Sequence, residues 1–422
     1  MPVSEPEPTA APAEAPLNLG LPPRAWLVVA LLCVVACLNY LDRVMLTTMR
    51  ESVVHAIPMS DADFGLLTSI FLLVYGLLSP FAGFLSDRFS RSKVIIGSLF
   101  LWSFTTWLTS HATSFPQLLA TRALMGLTEA CYLPAALALI TDFHRGPTRS
   151  LAIGIHLCGI SIGSALGGMG GWLAERHGWS FAFSLFGLVG IAYAVVLMFG
   201  LRDAPVQTAG PAVPVHFPTA LKSLFSRGSF YLLLVYWGLM GVAGWGVVGW
   251  MPTYLQEQFH LTQGKAGLTA TAYLQAATLA GLIIGGALAD RWSRVHVRGR
   301  IFLAMAGLGL AAPAILLTSQ ASLLVLAIAG LVIFGFARSG ADGNTMPILC
   351  LISDPRYRAT GFGVLNLFGC LVGGLTIYAG GILRDAHVNV RHMFEFSAGG
   401  MLLCIILLSF IRPMKPAASD QP

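Results

Sequence analysis

The chain has 422 residues, of which 56% are hydrophobic and only 10% charged, and its formal net charge is +6. Soluble domains carry roughly 25% charged residues, so this chain cannot cover a water-facing surface, and lipid is its solvent. The basic residues form no patch or arm but lie in short loops between apolar stretches, which excludes nucleic acid as the partner that explains them.

Residues 1–24 are rich in Pro, Ala and Glu, lack a basic segment followed by an apolar one, and read as a disordered tail. Apolar runs long enough to cross hydrocarbon (about 20 residues each) follow at 25–49, 61–86, 93–111, 115–141, 148–174 and 179–201. Pro205, Pro211, Pro214 and Pro218 then prevent a continuous helix over 202–227, the one credible linker. Six more runs stand at 228–256, 264–289, 299–319, 321–348, 357–383 and 392–412, before a short tail at 413–422. The expectation is an all-α membrane protein of twelve spans, divided into six-helix bundles at 25–201 and 228–412.

Counting Lys and Arg orients it. With the N-terminus in the cytoplasm, tails and loops on that side carry 17 and the opposite loops five, Arg50, Arg176, Lys265, Arg384 and Arg391. That imbalance is a positive-inside signal and places both termini in the cytoplasm. The seven cysteines fall almost wholly inside apolar runs, with no CxxC or Cys/His spacing, and read as small packing residues.

Gly83-Phe-Leu-Ser-Asp87-Arg88-Phe-Ser-Arg91 follows the second span, and Gly286-Ala-Leu-Ala-Asp290-Arg291-Trp-Ser-Arg294 follows the eighth. Glu129 precedes Pro134 by five residues in span four, as Asp342 precedes Pro347 in span ten. The chain is therefore a duplicated bundle, the architecture in which two similar halves rock about a midplane site. With its basic central loop it resembles the major facilitator superfamily over essentially its whole length. Asn39-Tyr40-Leu41-Asp42-Arg43 and Arg122-Ala-Leu-Met-Gly126-Leu-Thr-Glu129-Ala130 are similar to two branches of it. One is the anion:cation symporters, which take up sugar acids and related organic anions with protons; the other is the spinster-like carriers of lysolipid and sphingoid lipid. The motifs are common to both.

A charge in hydrocarbon is costly unless paired or hydrated, so every ionisable residue within a span is a candidate. Asp42 and Arg43 lie in span one, Arg122 and Glu129 two turns apart in span four, His156 in span five, and Arg338 and Asp342 at i and i+4 in span ten. A buried carboxylate that meets an arginine in one state and a proton in the other is a coupling device. On this reading Asp42 and Glu129 carry protons, Arg122 is the switching partner of Asp42, and Arg43 anchors the anion; the resemblance to the sugar-acid symporters implies the same roles. The other reading is a permanent, satisfied network that fixes helix packing. Arg338 and Asp342 either complete the site from the second half or form a salt bridge that closes a gate. His156 is a relay or substrate contact, or a neutral histidine bonded within its helix. Tyr75 matches a substrate-contacting tyrosine of the sugar-acid branch, and Asn366, Trp245 and Tyr378 are further cavity candidates. Asp87, Arg88, Arg91, Asp290, Arg291 and Arg294 sit at helix ends, where charge and dipole contacts latch neighbours, and are assigned to gating.

Where the sugar-acid symporters carry a polar amide in span five and a second Asn in span eleven, this chain has Ile160 and Cys370. A site for a polyol needs such donors, so a less polar anion is expected. No catalytic triad, metal box or nucleotide loop occurs, and neither enzyme activity nor a cofactor is expected. The reading is a monomeric, proton-coupled importer or exporter of a small organic carboxylate in the inner cell membrane, with a spinster-like lipid carrier as the alternative.

Overall fold

The structure, a computed structural model, describes residues 24–144, 148–204 and 217–413, except the side chains of 83–87, Ser150 and Pro355. The tails up to residue 23 and from 414, the linker at 205–216 and the expected latch of Asp87 lie outside the described residues. Long apolar runs leave the backbone no water to bond with in hydrocarbon, so each closes its hydrogen bonds on itself as a helix. The N-terminal half contains α1 (Ala25–Thr48), α2 (Arg50–Ala56), α3 (Asp61–Arg88), α4 (Arg91–Thr109), α5 (Phe115–Glu129), α6 (Tyr132–Phe143), α7 (Arg149–Gly167), α8 (Met169–His177) and α9 (Trp179–Gly200). After α10 (Phe217–Phe225) come α11 (Gly228–Phe259), α12 (Gln263–Val295), α13 (Gly299–Gln320), α14 (Leu324–Ile352), α15 (Arg358–Asp385) and α16 (Arg391–Ser409). No strand occurs among the described residues. The protein is an all-α membrane protein of twelve spans in two six-helix halves.

Eleven of these spans are long and apolar enough to cross a membrane. The twelfth, α4, opens on Arg91 and Lys93 and is rich in Ser, Thr and Trp, yet it packs on α5, α6 and α9 like its neighbours. Its start is tied to the chain leaving α9: Asp203 accepts from the Ser92 amide and hydroxyl, both at 2.8 Å. Partial burial works against ionisation of Asp203, but the bonds from Ser90 and Ser92 hold its carboxyl below the usual range. Large apolar side chains face outward along the spans, among them Phe199 at 78% exposure and Phe396 at 68%, as lipid contact requires.

Three departures from the expected spans have local causes. Span four divides into α5 and α6 directly after Glu129, where Pro134 has no N–H to return to the carbonyl of Ala130. Span five divides into α7 and α8 at Gly168. In the linker, α10 forms across Pro218 because that proline falls in the first helical turn, which needs no donor.

The halves are joined at the end opposite the basic loops. Asp61 of α3 receives Nε of Arg384 from α15 at 3.1 Å and is also paired with Arg50. Arg384 holds both oxygens of Glu257, at 2.7 and 2.9 Å. Both oxygens of Asp385 accept from the first α3 amides, Asp61 and Ala62, at 2.9 Å. Gln263 exchanges bonds with Ser52 at 2.8 and 2.9 Å, and Glu175 takes the Gly264 amide at 2.7 Å. At the basic end, three polar contacts each stay within one half: Arg91 with Asp142, Arg300 with Asp290 at 2.6 Å, and Arg298 with the Ser409 carbonyl at 2.6 Å. Arg384→Ala removes the only cation among the described residues that touches both Asp61 and Glu257. Partly exposed pairs are worth up to about 1 kcal/mol each, enough to change a two-state ratio about fivefold. Spin labels at His55 and His260, exposed on opposite halves of this end, are expected to gain a second, longer distance in the variant; an unchanged distribution would mean the seam is held elsewhere.

Candidate transport site

Beneath that seam lies a cavity of about 420 Å³ between the halves. Its N-half wall comes from α1, α3, α6 and α7 and its C-half wall from α11, α12, α14 and α15. Most of the surface is apolar or aromatic, with Tyr40, Tyr75, Trp237, Trp245 and Phe334 among the lining residues. The polar contributions are few: Arg43, Arg338, Asp342, Gln275, Asn366 and a small number of hydroxyls. This is the pattern of a small-molecule site, an apolar cleft with sparse groups to fix orientation.

Behind the N-half wall is a dry charge cluster. Asn39 and Arg43 are one turn apart on α1 and both reach Glu129 at the end of α5. Arg43 Nε donates to Glu129 Oε2 at 2.8 Å, and Asn39 Nδ2 donates to the same oxygen at 2.9 Å. Glu129 is fully buried. The Arg43 guanidinium is boxed by aromatic rings, its centre 4.7 Å from the Tyr40 ring, 4.9 Å from Phe71 and 4.4 Å from Tyr75, contacts that replace part of its lost hydration. Asp42, one residue earlier and pointing elsewhere, is also buried; its one side-chain hydrogen bond among the described residues is from the Thr106 hydroxyl at 3.3 Å. Arg122 is buried with no ion pair among the described residues. Its Nη1 reaches Met125 Sδ at 3.1 Å and its plane lies 5.2 Å from the Phe71 ring.

Thus the four expected N-half charges share one cluster, but with different partners from those expected. Arg122 does not hold Asp42 in this conformation, and Arg43, expected to meet the anion, has its Nε committed to Glu129. Arg43 and Tyr75 both still line the cavity. Asp42, Arg122 and Glu129 do not.

On the facing wall, Arg338 Nη1 pairs with Asp342 Oδ2 at 2.9 Å, the i,i+4 contact the spacing predicts. Arg338 Nη2 donates to the Met240 carbonyl at 3.2 Å, and Gly244 makes room for it, since a Cβ there would stand 2.6 Å from Nη2. Asn366 of α15 donates to Ser79 of α3 at 3.2 Å, joining the halves at cavity level. Ile160 and Cys370 both line the cavity, so the two places where an amide is missing are places on its wall. His156 is fully buried, 6.0 Å edge-to-face from Tyr132, and is not among the lining residues; nor is Tyr378. Asp290, Arg291 and Arg294 are exposed at the end of α12, and Arg88 at the end of α3. Sequence reasoning gave no role to Asn39, Tyr40 or Gln275. Each is a polar side chain in an apolar span, and attention to charge alone passes over uncharged amides and phenols.

A two-half helical bundle closed at one end, around an apolar cavity with paired charges in its walls, defines a membrane carrier. The model that describes the Major Facilitator Superfamily matches residues 32–377, and the chain belongs to that superfamily, whose members are transporters and not enzymes. An MFS-type efflux pump of Mycolicibacterium smegmatis is 27% identical over 86% of each chain. The 3-(3-hydroxy-phenyl)propionate transporter of Escherichia coli K12 is 27% identical over 94% of this chain and 97% of its own. Among solved structures, a bacterial homolog to the human lysosomal transporter spinster, in an inward-facing and unoccupied conformation, superimposes with a TM-score of 0.74 at 23% identity, over 93% of this chain and 96% of that one.

Proposed function

We propose that the protein is a proton-coupled symporter of a small organic carboxylate with an apolar or aromatic body, working by alternating access. The observation that carries this is the cavity itself: two guanidinium groups facing a largely apolar space with several aromatic rings, with two water-excluded carboxylates behind one wall. An arginine matches a carboxylate, and the rings suit an apolar body better than a polyol. The E. coli relative is described as a transporter of an arylpropionate, an anion of this kind.

The basic loops face the cytoplasm in this proposal, the protein sits as a monomer in the inner membrane, and the closed seam is the outer gate. An ionised carboxylate with one hydroxyl donor and no ion-pair contact among the described residues is costly in a dry site, so Asp42 carries the proton in this conformation while Glu129 is ionised against Arg43. Arg122, near both carboxylates but in ion-pair contact with neither, receives Asp42 once the proton leaves. The seam charges and the helix-end residues Asp87, Arg88, Arg91, Asp290, Arg291 and Arg294 alternate as gates.

Uptake into proteoliposomes tests this. A gradient of about one pH unit is worth about 1.4 kcal/mol per proton carried and supports about tenfold accumulation. Arylpropionates are expected to accumulate to that degree with an acidic exterior and only to equilibrate without it. Lysolipid flux with no response to any carboxylate would overturn the proposal, as would accumulation indifferent to pH.

A further inference from the structure

The two cavity arginines are not equally available. Arg43 has Nε on Glu129 and three rings around its guanidinium, and its side chain is only 4% exposed. Arg338 is 21% exposed and Asp342 26%, both on the cavity wall and joined through Nη1 and Oδ2 at 2.9 Å. Two further atoms of this pair, Arg338 Nε and Asp342 Oδ1, are buried without a hydrogen-bond partner. Arg338 Nη2 is turned to the Met240 carbonyl, and the one anion the guanidinium meets among the described residues is Asp342.

The geometry points to an exchange of partners on Arg338: the substrate carboxylate takes the guanidinium from Asp342, and Asp342 receives a proton as it is displaced. This rests on the reading of the cavity as a carboxylate site. The pair is neutral before the substrate arrives. A second carboxylate on the same cation would leave a net negative charge in a low-dielectric space, where like charges at contact distance do not both stay ionised. One proton from the water of the open end forms an O–H bond on Asp342; the Arg338–Asp342 contact breaks and the Arg338–substrate contact forms. The cavity returns to zero charge. Substrate binding and proton binding then become one event at one site, separate from the Asp42 cluster.

The surroundings leave Asp342 as the group that takes the proton. α11 presents Tyr236, whose hydroxyl is spent on the Ala341 carbonyl at 3.4 Å, and α16 presents Cys404, bonded to the Tyr236 carbonyl at 3.6 Å. α12 offers Gln275 and Thr278, and α15 offers Asn366 and Cys370. α13 has no ionisable side chain beyond Arg300 in its first turn.

Calorimetric titration of the purified protein with 3-phenylpropionate, in buffers of different ionisation enthalpy, counts the protons taken up on binding. The wild type is expected to take up about one, and its affinity to fall about tenfold per pH unit in the range where Asp342 is ionised, since binding consumes a proton. Asp342→Asn leaves Arg338 open, so it is expected to bind with no proton uptake and a flat pH profile; Asp342→Ser should do the same if the Asn variant is not recovered folded. Arg338→Gln is expected to lose binding at every pH, with partial recovery in Arg338→Lys. Uptake that persists in both Asp342 variants overturns the exchange while leaving carboxylate transport standing. A wild type that binds neither 3-phenylpropionate nor any related carboxylate overturns both.

Discussion

In liposomes carrying Asp42→Asn, the accumulation driven by a pH gradient is expected to fall to the level seen without one, while exchange of labelled for unlabelled carboxylate continues. Asparagine preserves the volume of Asp42 and can still bond to Thr106, but it stays neutral in every state. The loaded carrier can therefore cross in both directions. The empty carrier cannot complete its return, because Arg122 never gains the anion that would settle it after the proton leaves. A wild type that concentrates substrate about tenfold per proton and pH unit becomes an exchanger. Glu129→Gln is a harsher change, since it also strips Arg43 of its countercharge inside a dry site. Accumulation undiminished in Asp42→Asn would remove this residue from the coupling scheme.

The second large effect is expected from Gly163→Val. α1 and α7 touch backbone to backbone: a Cβ at Gly163 would stand 2.7 Å from the Cys37 carbonyl carbon and 2.8 Å from its Cα. Four residues further on, at Gly167, it would stand 2.7 Å from Val44 Cβ. This is the small-xxx-small contact of membrane helices. Overpacking a core costs about 1–3 kcal/mol when side chains can shift; here backbone must move, and α1 carries Asn39, Asp42 and Arg43 with it. Most of the protein is expected to aggregate or elute at the void volume on size-exclusion in detergent. Gly154→Ala is the control: nothing stands within 4 Å of its Cβ position, and alanine should be neutral or gain about 0.5–1 kcal/mol from helix propensity. A folded, monodisperse Gly163→Val would show that the two helices have slack the packing does not suggest.

Much of the fold was legible because its determinants are local. Apolar run length decides where a helix must cross, and the two G-x-L-[SA]-D-R loops mark the duplication. Arg338 and Asp342 were readable as a pair for the same reason, since four residues on one helix fix their proximity. The partner of Glu129 was not. Spacing places Arg122 and Glu129 on one face of one span, but Arg43 makes the ion pair because α1 and α5 are rotated to bring it there, and rotation between helices leaves no trace in either helix's periodicity. The same limit applies to Asn39, whose amide matters only through a residue 90 positions away. His156 illustrates the converse: an ionisable residue within a span can lie behind the wall, not on it.

The first turn of α3 carries one consequence for motion. Its amides at Asp61 and Ala62 are met by Asp385 from the other half, whereas the Asp63 amide bonds to Ser60 Oγ at 3.0 Å and the Ser60 amide returns to Asp63 at 3.2 Å. One clasp is borrowed and the other is the helix's own reciprocal box. In the proposed cycle, as the halves draw apart the borrowed carboxylate departs and water replaces it, but the resident box travels with the helix and keeps the turn from fraying. The tip of α3 can then undock and redock as a solid piece, with no refolding in each cycle.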